Sequence, residues 1–175
     1  MKFRSWLTLP LLAVTWLSCT ASAAFAAQPG NICHLPGYDQ ALRCISVHVP
    51  LDYRHPQGEQ LALHVTLAAA LREAARPDPL FVLAGGPGQA GSEILPLLDS
   101  AFRKVRATRD IVFIDQRGTG LSGKLDCDST QALEDSSLQE QEKIVGDCMR
   151  TLGRPFAVYN TENSARDREG TGRSR

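Results

Sequence analysis

Hydrophobic and polar positions alternate with a period of two along Cys44-Ile45-Ser46-Val47-His48-Val49, and again at Leu61, Leu63, Val65, Leu67 and Ala69. Alternation of this kind predicts strands with one wet face. The turn-rich Leu51-Asp52-Tyr53-Arg54-His55-Pro56-Gln57-Gly58 between them makes the pair a β-hairpin. His48 and His64 fall on the polar phase, which assigns both to the surface rather than to a ligand or base role. Two later runs, Leu80–Leu83 and Ile111–Ile114, are apolar without interruption, the pattern of strands buried on both faces. Between these runs Ile94, Leu95, Leu98, Ala101, Phe102 and Val105 recur at helical spacing, with Lys104 and Arg106 near the C-terminal end of the dipole. Strand, helix and strand then form a βαβ unit with a parallel pair. Gln131 to Leu152 reads as a charged helix offering Leu133, Ile144, Val145 and Met149 as a core face.

The N-terminus changes the picture of where this fold resides. Lys2 and Arg4 precede an apolar run from Leu7 to Leu17 and the small-residue string Ala21–Ala27, the pattern of a secretory signal peptide covering residues 1–26. The apolar run is short for a membrane anchor, and Trp16-Leu17-Ser18-Cys19 is a poor lipobox, so a secreted or periplasmic protein without a stable membrane anchor is expected. Cleavage removes Cys19 and leaves Cys33, Cys44, Cys127 and Cys148, an even number in an oxidising compartment. Of the three possible connectivities, the sequence-local one, Cys33 with Cys44 and Cys127 with Cys148, is favoured. A zinc site from Cys33, His34, Cys44 and His48 is the alternative, and its spacing matches no common ligand pattern. Nineteen basic and nineteen acidic residues give a net charge of zero, which removes any broad electrostatic case for nucleic acid.

Candidate chemistry lies in the two glycine turns that follow the apolar runs. In Gly85-Gly86-Pro87-Gly88 the missing side chains let backbone approach a ligand, and Pro87 sets one torsion while withdrawing its own donor. Amides held at a strand end can stabilise the oxyanion of an acyl-transfer intermediate, an effect of about 3 kcal/mol per donor. The same four residues also suit an ordinary turn. Phosphate binding is disfavoured because neither G-x-G-x-x-G nor a glycine-rich loop with Lys-Ser/Thr occurs. No cofactor or metal is called for.

Ordered along the chain, Val49-Pro50-Leu51-Asp52-Tyr53, Gly85-Gly86-Pro87-Gly88, Asp115-Gln116-Arg117-Gly118-Thr119-Gly120-Leu121-Ser122 and, more weakly, Tyr159-Asn160-Thr161-Glu162-Asn163 with Asp167 carry a resemblance. The chain up to Asp167 resembles the N-terminal part of secreted α/β-hydrolases of the proline iminopeptidase and tripeptidyl aminopeptidase type. That resemblance implies an α/β fold with a mixed, mostly parallel sheet and flanking helices over residues 27–167. It implies a serine exopeptidase acting on peptide N-termini, with Gly85 and Gly86 in the oxyanion loop and Gly86 as the leading donor. Many relatives have histidine where this chain has Ala84. Asp115 and Arg117 would shape the neighbouring loop rather than react; an exposed polar turn is the competing expectation for them.

The triad itself is not in the sequence. The fold requires G-x-S-x-G followed by an acid and a histidine. The nearest string, Gly120-Leu121-Ser122-Gly123-Lys124, lacks the second glycine, which makes Ser122 a turn residue. His34, His48, His55 and His64 all precede any such serine. Residues 168–175 contain no apolar side chain, and the abrupt change predicts a frameshift or premature end near Asp167 and an unstructured tail. Leu80–Leu83 would then be an apolar unpaired edge, favouring aggregation. The expected activity of the chain alone is nil; a non-catalytic interaction module and an esterase are the competing readings.

Overall fold

Five strands assemble into one sheet in the order β1-β2-β3-β5-β4, in a computed structural model that describes residues 30–72, 75–86, 88–127 and 133–173. Residues 1–26, where a signal peptide is expected, and Pro87 lie outside the described residues. Strands β1 (Asn31–Leu35), β2 (Tyr38–Pro50) and β3 (Gln60–Ala68) form an antiparallel meander. The expected hairpin is therefore present, with Cys44 opposite Thr66 and Val49 opposite Leu61, but β2 starts earlier and gains β1 as a partner. The β1–β2 turn passes through Gly37 at φ +80°, a conformation open to glycine.

Strand β5 (Ile111–Ile114) enters between β3 and β4 (Leu80–Val82), antiparallel to β3 and parallel to β4. The parallel pair, Leu80 opposite Ile111 and Val82 opposite Phe113, is the βαβ unit expected from the two apolar runs. The sheet is mixed but not mostly parallel among the described residues. The connections from β1 to β2 and from β2 to β3 are both too short for a crossover, so each joins antiparallel neighbours.

The crossover between β4 and β5 departs from a single regular helix. A 3-10 segment, Gly91–Leu97, contains Pro96, and a four-residue helix α1 (Arg103–Arg106) follows. Gly91 lies so close to the Ile114 backbone that an added Cβ would meet the Ile114 nitrogen at 2.8 Å, so the segment can hug the sheet. Arg106 is not at a solvated helix end. It is buried, donating at 2.6 Å to the Tyr38 hydroxyl and at 3.2 Å to the Ala69 carbonyl.

All four β5 residues are buried, and each apolar side chain so placed contributes roughly 1.5–3 kcal/mol. Ile111 and Phe113 face Tyr38, Leu42, Ala68, Val82, Leu95 and Leu98, with the Phe102 ring edge-on to Phe113 at 6.2 Å. Val112 and Ile114 pack on the opposite face with Val65, where Ile45, Val47, Leu67 and Phe81 are only partly covered. Burial of both faces, expected from sequence, is thus complete on one side alone among the described residues.

Two further helices follow: α2 (Leu138–Leu152), opened by a Ser137–Glu140 capping box and closed by Gly153 at φ +56°, and α3 (Thr161–Arg173). Helix α2 buries no residue; Val145 and Met149, expected in a core face, are exposed. It is tied instead by the Cys127–Cys148 disulfide, while Cys33–Cys44 joins β1 to β2, with Cα separations of 5.9 and 5.8 Å. The sequence-local pairing is the one formed, and Cys33 and Cys44 are not zinc ligands. Residues 168–173, expected to be unstructured, continue α3. The helix is anchored by polar residues, since Asn163, Asp167 and Thr171 recur every fourth position and are all buried.

Candidate functional site

Asp115 follows directly after strand β5, and its carboxylate is completely buried. It accepts hydrogen bonds from the Ser92 amide at 2.8 Å, the Ser92 hydroxyl at 3.0 Å and the Leu121 amide at 2.9 Å. One side chain thereby joins the start of the 3-10 segment to the 115–122 loop. Close approach requires Gly120, at φ +46°, because any Cβ there would run into the Asp115 carboxylate and reach Ala90 Cβ at 2.5 Å. Ser122 is buried as well. Its hydroxyl donates to the Asp115 carbonyl at 2.7 Å and accepts from the His64 amide at 2.8 Å. With both capacities used on backbone, Ser122 is a structural staple rather than a nucleophile.

Arg117 gathers three other parts of the chain. Its guanidinium meets the Asp167 carboxylate through two parallel bonds, Nε to Oδ2 at 2.8 Å and Nη2 to Oδ1 at 2.7 Å. The remaining donors reach the carbonyls of Leu51 at 2.8 Å, Val158 at 2.9 Å and Pro50 at 3.2 Å. Tyr53 completes the cluster, donating to Asp167 Oδ1 at 2.9 Å with its ring beneath the Arg117 and Arg166 guanidinium groups. Burial and the neighbouring Asp167 hold the Tyr53 phenol far above the ordinary tyrosine range, so it stays a donor at any physiological pH. Asp115 and Arg117 are therefore loop-shaping residues, and the exposed-turn expectation is excluded by their burial.

The Gly85–Gly86 turn leaves the C-terminal end of β4 beside this loop. Ala84, Gly85, Gly86, Gly88, Gln89, Gln116, Arg117 and Thr119 line a groove of about 340 Å³. Gly85 and Gly86 are exposed, and no hydrogen bond among the described residues uses their N–H groups. Their carbonyl side is anchored: the Gly85 carbonyl accepts from the Gln89 amide at 3.3 Å, and the Ala84 carbonyl accepts from Gln116 Nε2 at 3.3 Å. Gly86, at φ +128°, occupies a conformation that side chains rarely adopt.

In an alignment 175 positions long that covers 88% of this chain, the sequence is 27% identical to the serine protease Hip1 of Mycobacterium tuberculosis and of Mycobacterium bovis. In an alignment 172 positions long that covers 87% of the chain, it is 28% identical to carboxylesterase B of Mycobacterium tuberculosis. The chain resembles serine hydrolases. It spans about a third of the length of these curated relatives, 31% in each case. No protein-family model matches the sequence. The mixed sheet with flanking helices is compatible with a hydrolase of the α/β class.

Against this hydrolase-like frame, the histidines divide. His48 is exposed, as its phase requires, whereas His64 is half-buried, its Nε2 3.1 Å from the Thr66 hydroxyl. The surface assignment of His64 is thus corrected, because its end of β3 is overlaid by the loop that Ser122 fastens there. Burial pulls the His64 imidazole below its ordinary pKa, with nearby Asp115 opposing. No group of three or more metal-ligating side chains occurs among the described residues. Sequence reasoning did not single out Tyr53 and Asp167 as partners of Arg117. Their common signal was that all three lie in the motifs that carry the family resemblance.

Proposed function

We propose that this chain is the N-terminal portion of a secreted serine hydrolase that cleaves residues from peptide N-termini through an acyl-enzyme. Residues 27–167 belong to the hydrolase domain and residues 1–26 to a leader removed on export; the two disulfides support the oxidising destination. The observation that carries the reading is the Gly85–Gly86 turn: two exposed amides at a strand end, both with their carbonyls tethered, lining a groove. The similarity to a serine protease over most of the chain supports the same assignment.

In this reading a serine outside residues 1–175 attacks the substrate carbonyl and passes its proton to a histidine. Gly86, with Gly85, donates to the oxygen that becomes negative. The histidine returns the proton to the departing amine, and water then releases the acyl group by the same path. Each donor is worth about 3 kcal/mol in the transition state, or roughly two orders of magnitude in rate. Residues 30–173 contribute the oxyanion loop and its supports, and the chain alone has no activity.

The test uses the full-length protein that carries this chain. Turnover of aminoacyl or tripeptidyl arylamides, abolished by a serine-directed fluorophosphonate that labels the protein, is the expected result. Peptide binding without labelling would instead assign an interaction module. The similarity to carboxylesterase B favours a second reading, an esterase using the same loop, and a large excess of ester over arylamide turnover would select it.

A further inference from the structure

We infer that Gln116 is a positioning residue for the oxyanion loop, fixing the Gly85 amide by holding the opposite side of the same peptide unit. The inference rests on the serine hydrolase reading. In a trans peptide the carbonyl and the N–H point in opposite directions, so whatever grips the Ala84 oxygen also aims the Gly85 N–H. Gln116 Nε2 donates to that oxygen at 3.3 Å.

The following peptide unit is held differently. Its oxygen, on Gly85, accepts from the main-chain amide of Gln89, so the direction of the Gly86 N–H is built into the turn. The Gly85 N–H has no such local support. A Cβ added at Gly85 would touch nothing within 4 Å, so packing does not restrain the unit, and the glycine imposes little torsional preference of its own. Among the described residues, the Gln116 side chain is what distinguishes one orientation of the Ala84–Gly85 peptide from its flipped alternative.

Gln116 is itself braced from α3. Its Oε1 lies 3.5 Å from Arg168 Nη2, while the adjacent Arg117 is paired with the adjacent Asp167. Two consecutive residues of the 115–122 loop are thus gripped by two consecutive residues of α3, and the second contact is relayed to the glycine turn. Arg168 Nε, buried without a partner among the described residues, leaves the guanidinium held mainly by this approach.

The experiment compares Gln116→Leu and Gln116→Glu with the wild type in the full-length protein, measuring kcat, KM, the fluorophosphonate labelling rate and Tm. An oxyanion donor contributes only in the transition state, so Gln116→Leu is expected to lower kcat and labelling together by tenfold to a hundredfold, with KM within twofold and Tm nearly unchanged. Gln116→Glu keeps the shape but presents a carboxylate to the Ala84 carbonyl. Its activity relative to wild type at the same pH is expected to rise as the pH is lowered and the carboxyl regains a donor proton. Wild-type kcat in Gln116→Leu would overturn the inference and leave the hydrolase reading standing. A loss that tracks Tm, with no pH recovery in Gln116→Glu, would overturn it in favour of a purely structural role. A wild-type protein that neither labels nor turns over substrate would overturn the hydrolase reading and this inference with it.

Discussion

Replacing Arg117 by methionine removes five hydrogen bonds at once: two to Asp167 and one each to the carbonyls of Pro50, Leu51 and Val158. Asp167 is 2% exposed, so its carboxylate is left as a buried charge with, among the described residues, only the Tyr53 hydroxyl bonded to it. Breaking a buried pair from one side costs about 3–5 kcal/mol, because the remaining ion has lost water and gains nothing in return. The Val158 carbonyl keeps the Asn163 side-chain amide at 2.9 Å, whereas the Leu51 carbonyl loses this buried donor, adding about 1 kcal/mol. The expected destabilisation is therefore about 4–6 kcal/mol, comparable with the whole stability of a marginal domain. Urea unfolding followed by far-ultraviolet circular dichroism, at low protein concentration, measures it. The double variant Arg117→Met/Asp167→Leu removes the stranded charge and is expected to recover about 2 kcal/mol relative to Arg117→Met. If Arg117→Met lies within 1 kcal/mol of wild type, or if the two substitutions simply add, the cluster is not the internal brace that its geometry indicates.

Three other perturbations have defined outcomes. Gly120→Ala places a methyl group against Asp115 and Ala90 at a positive φ, and about 2–4 kcal/mol of stability is expected to be lost in the same denaturation assay; a loss under 1 kcal/mol refutes the close approach. Burial lowers the His64 pKa below its ordinary 6.5, so the unfolded chain binds that proton more readily than the folded one. This contribution is present above pH 6.5 and lost as the pH falls through the depressed folded value, so the urea midpoint should drop on acidification over that window and drop less in His64→Gln. Selective loss of the Cys127–Cys148 link, through Cys127→Ser/Cys148→Ser, frees a helix with no fully buried residue; trypsin should then cut α2 at Lys143 and Arg150 while β1–β5 stay protected, and unchanged cleavage would show that α2 is held otherwise.

The strands were legible where a physical period was present. The hairpin of β2 and β3 follows from alternation, and β5 from four consecutive apolar residues, because burial on one or both faces leaves those marks. Strand β1 left none: Asn31–Leu35 is short, carries Cys33 and His34, and exposes Ile32 at the sheet edge. The single helix expected after Ile94 failed because apolar spacing alone cannot register that Gly91 draws the chain onto Ile114, with Pro96 inside the resulting 3-10 segment. Helix α3 was invisible to a hydrophobic criterion, since its buried stripe is Asn163, Asp167 and Thr171. At the site, the glycine turn could be found from composition, and its position at the end of β4 follows from the preceding apolar run. The burial of Asp115 and Arg117 could not be read in the same way. A charge in a loop looks alike whether it meets water or a carboxylate fifty positions away, and the partner becomes visible only when the chain is folded.

The Arg117 cluster also imposes an order on assembly. Its cation lies next to β5, but its countercharge, Asp167, is translated fifty residues later, and the Val158 carbonyl only shortly before. During synthesis from the N-terminus all five described strands, β1 to β5, exist while Arg117 still lacks its anion, so burying that guanidinium early is penalised. The 115–122 loop must therefore wait for α3 to dock, a late non-local step of the kind that slows folding. Until α3 arrives the loop stays open to water, and the Arg117–Asp167 contact then fastens the end of β5 to α3 in a single step.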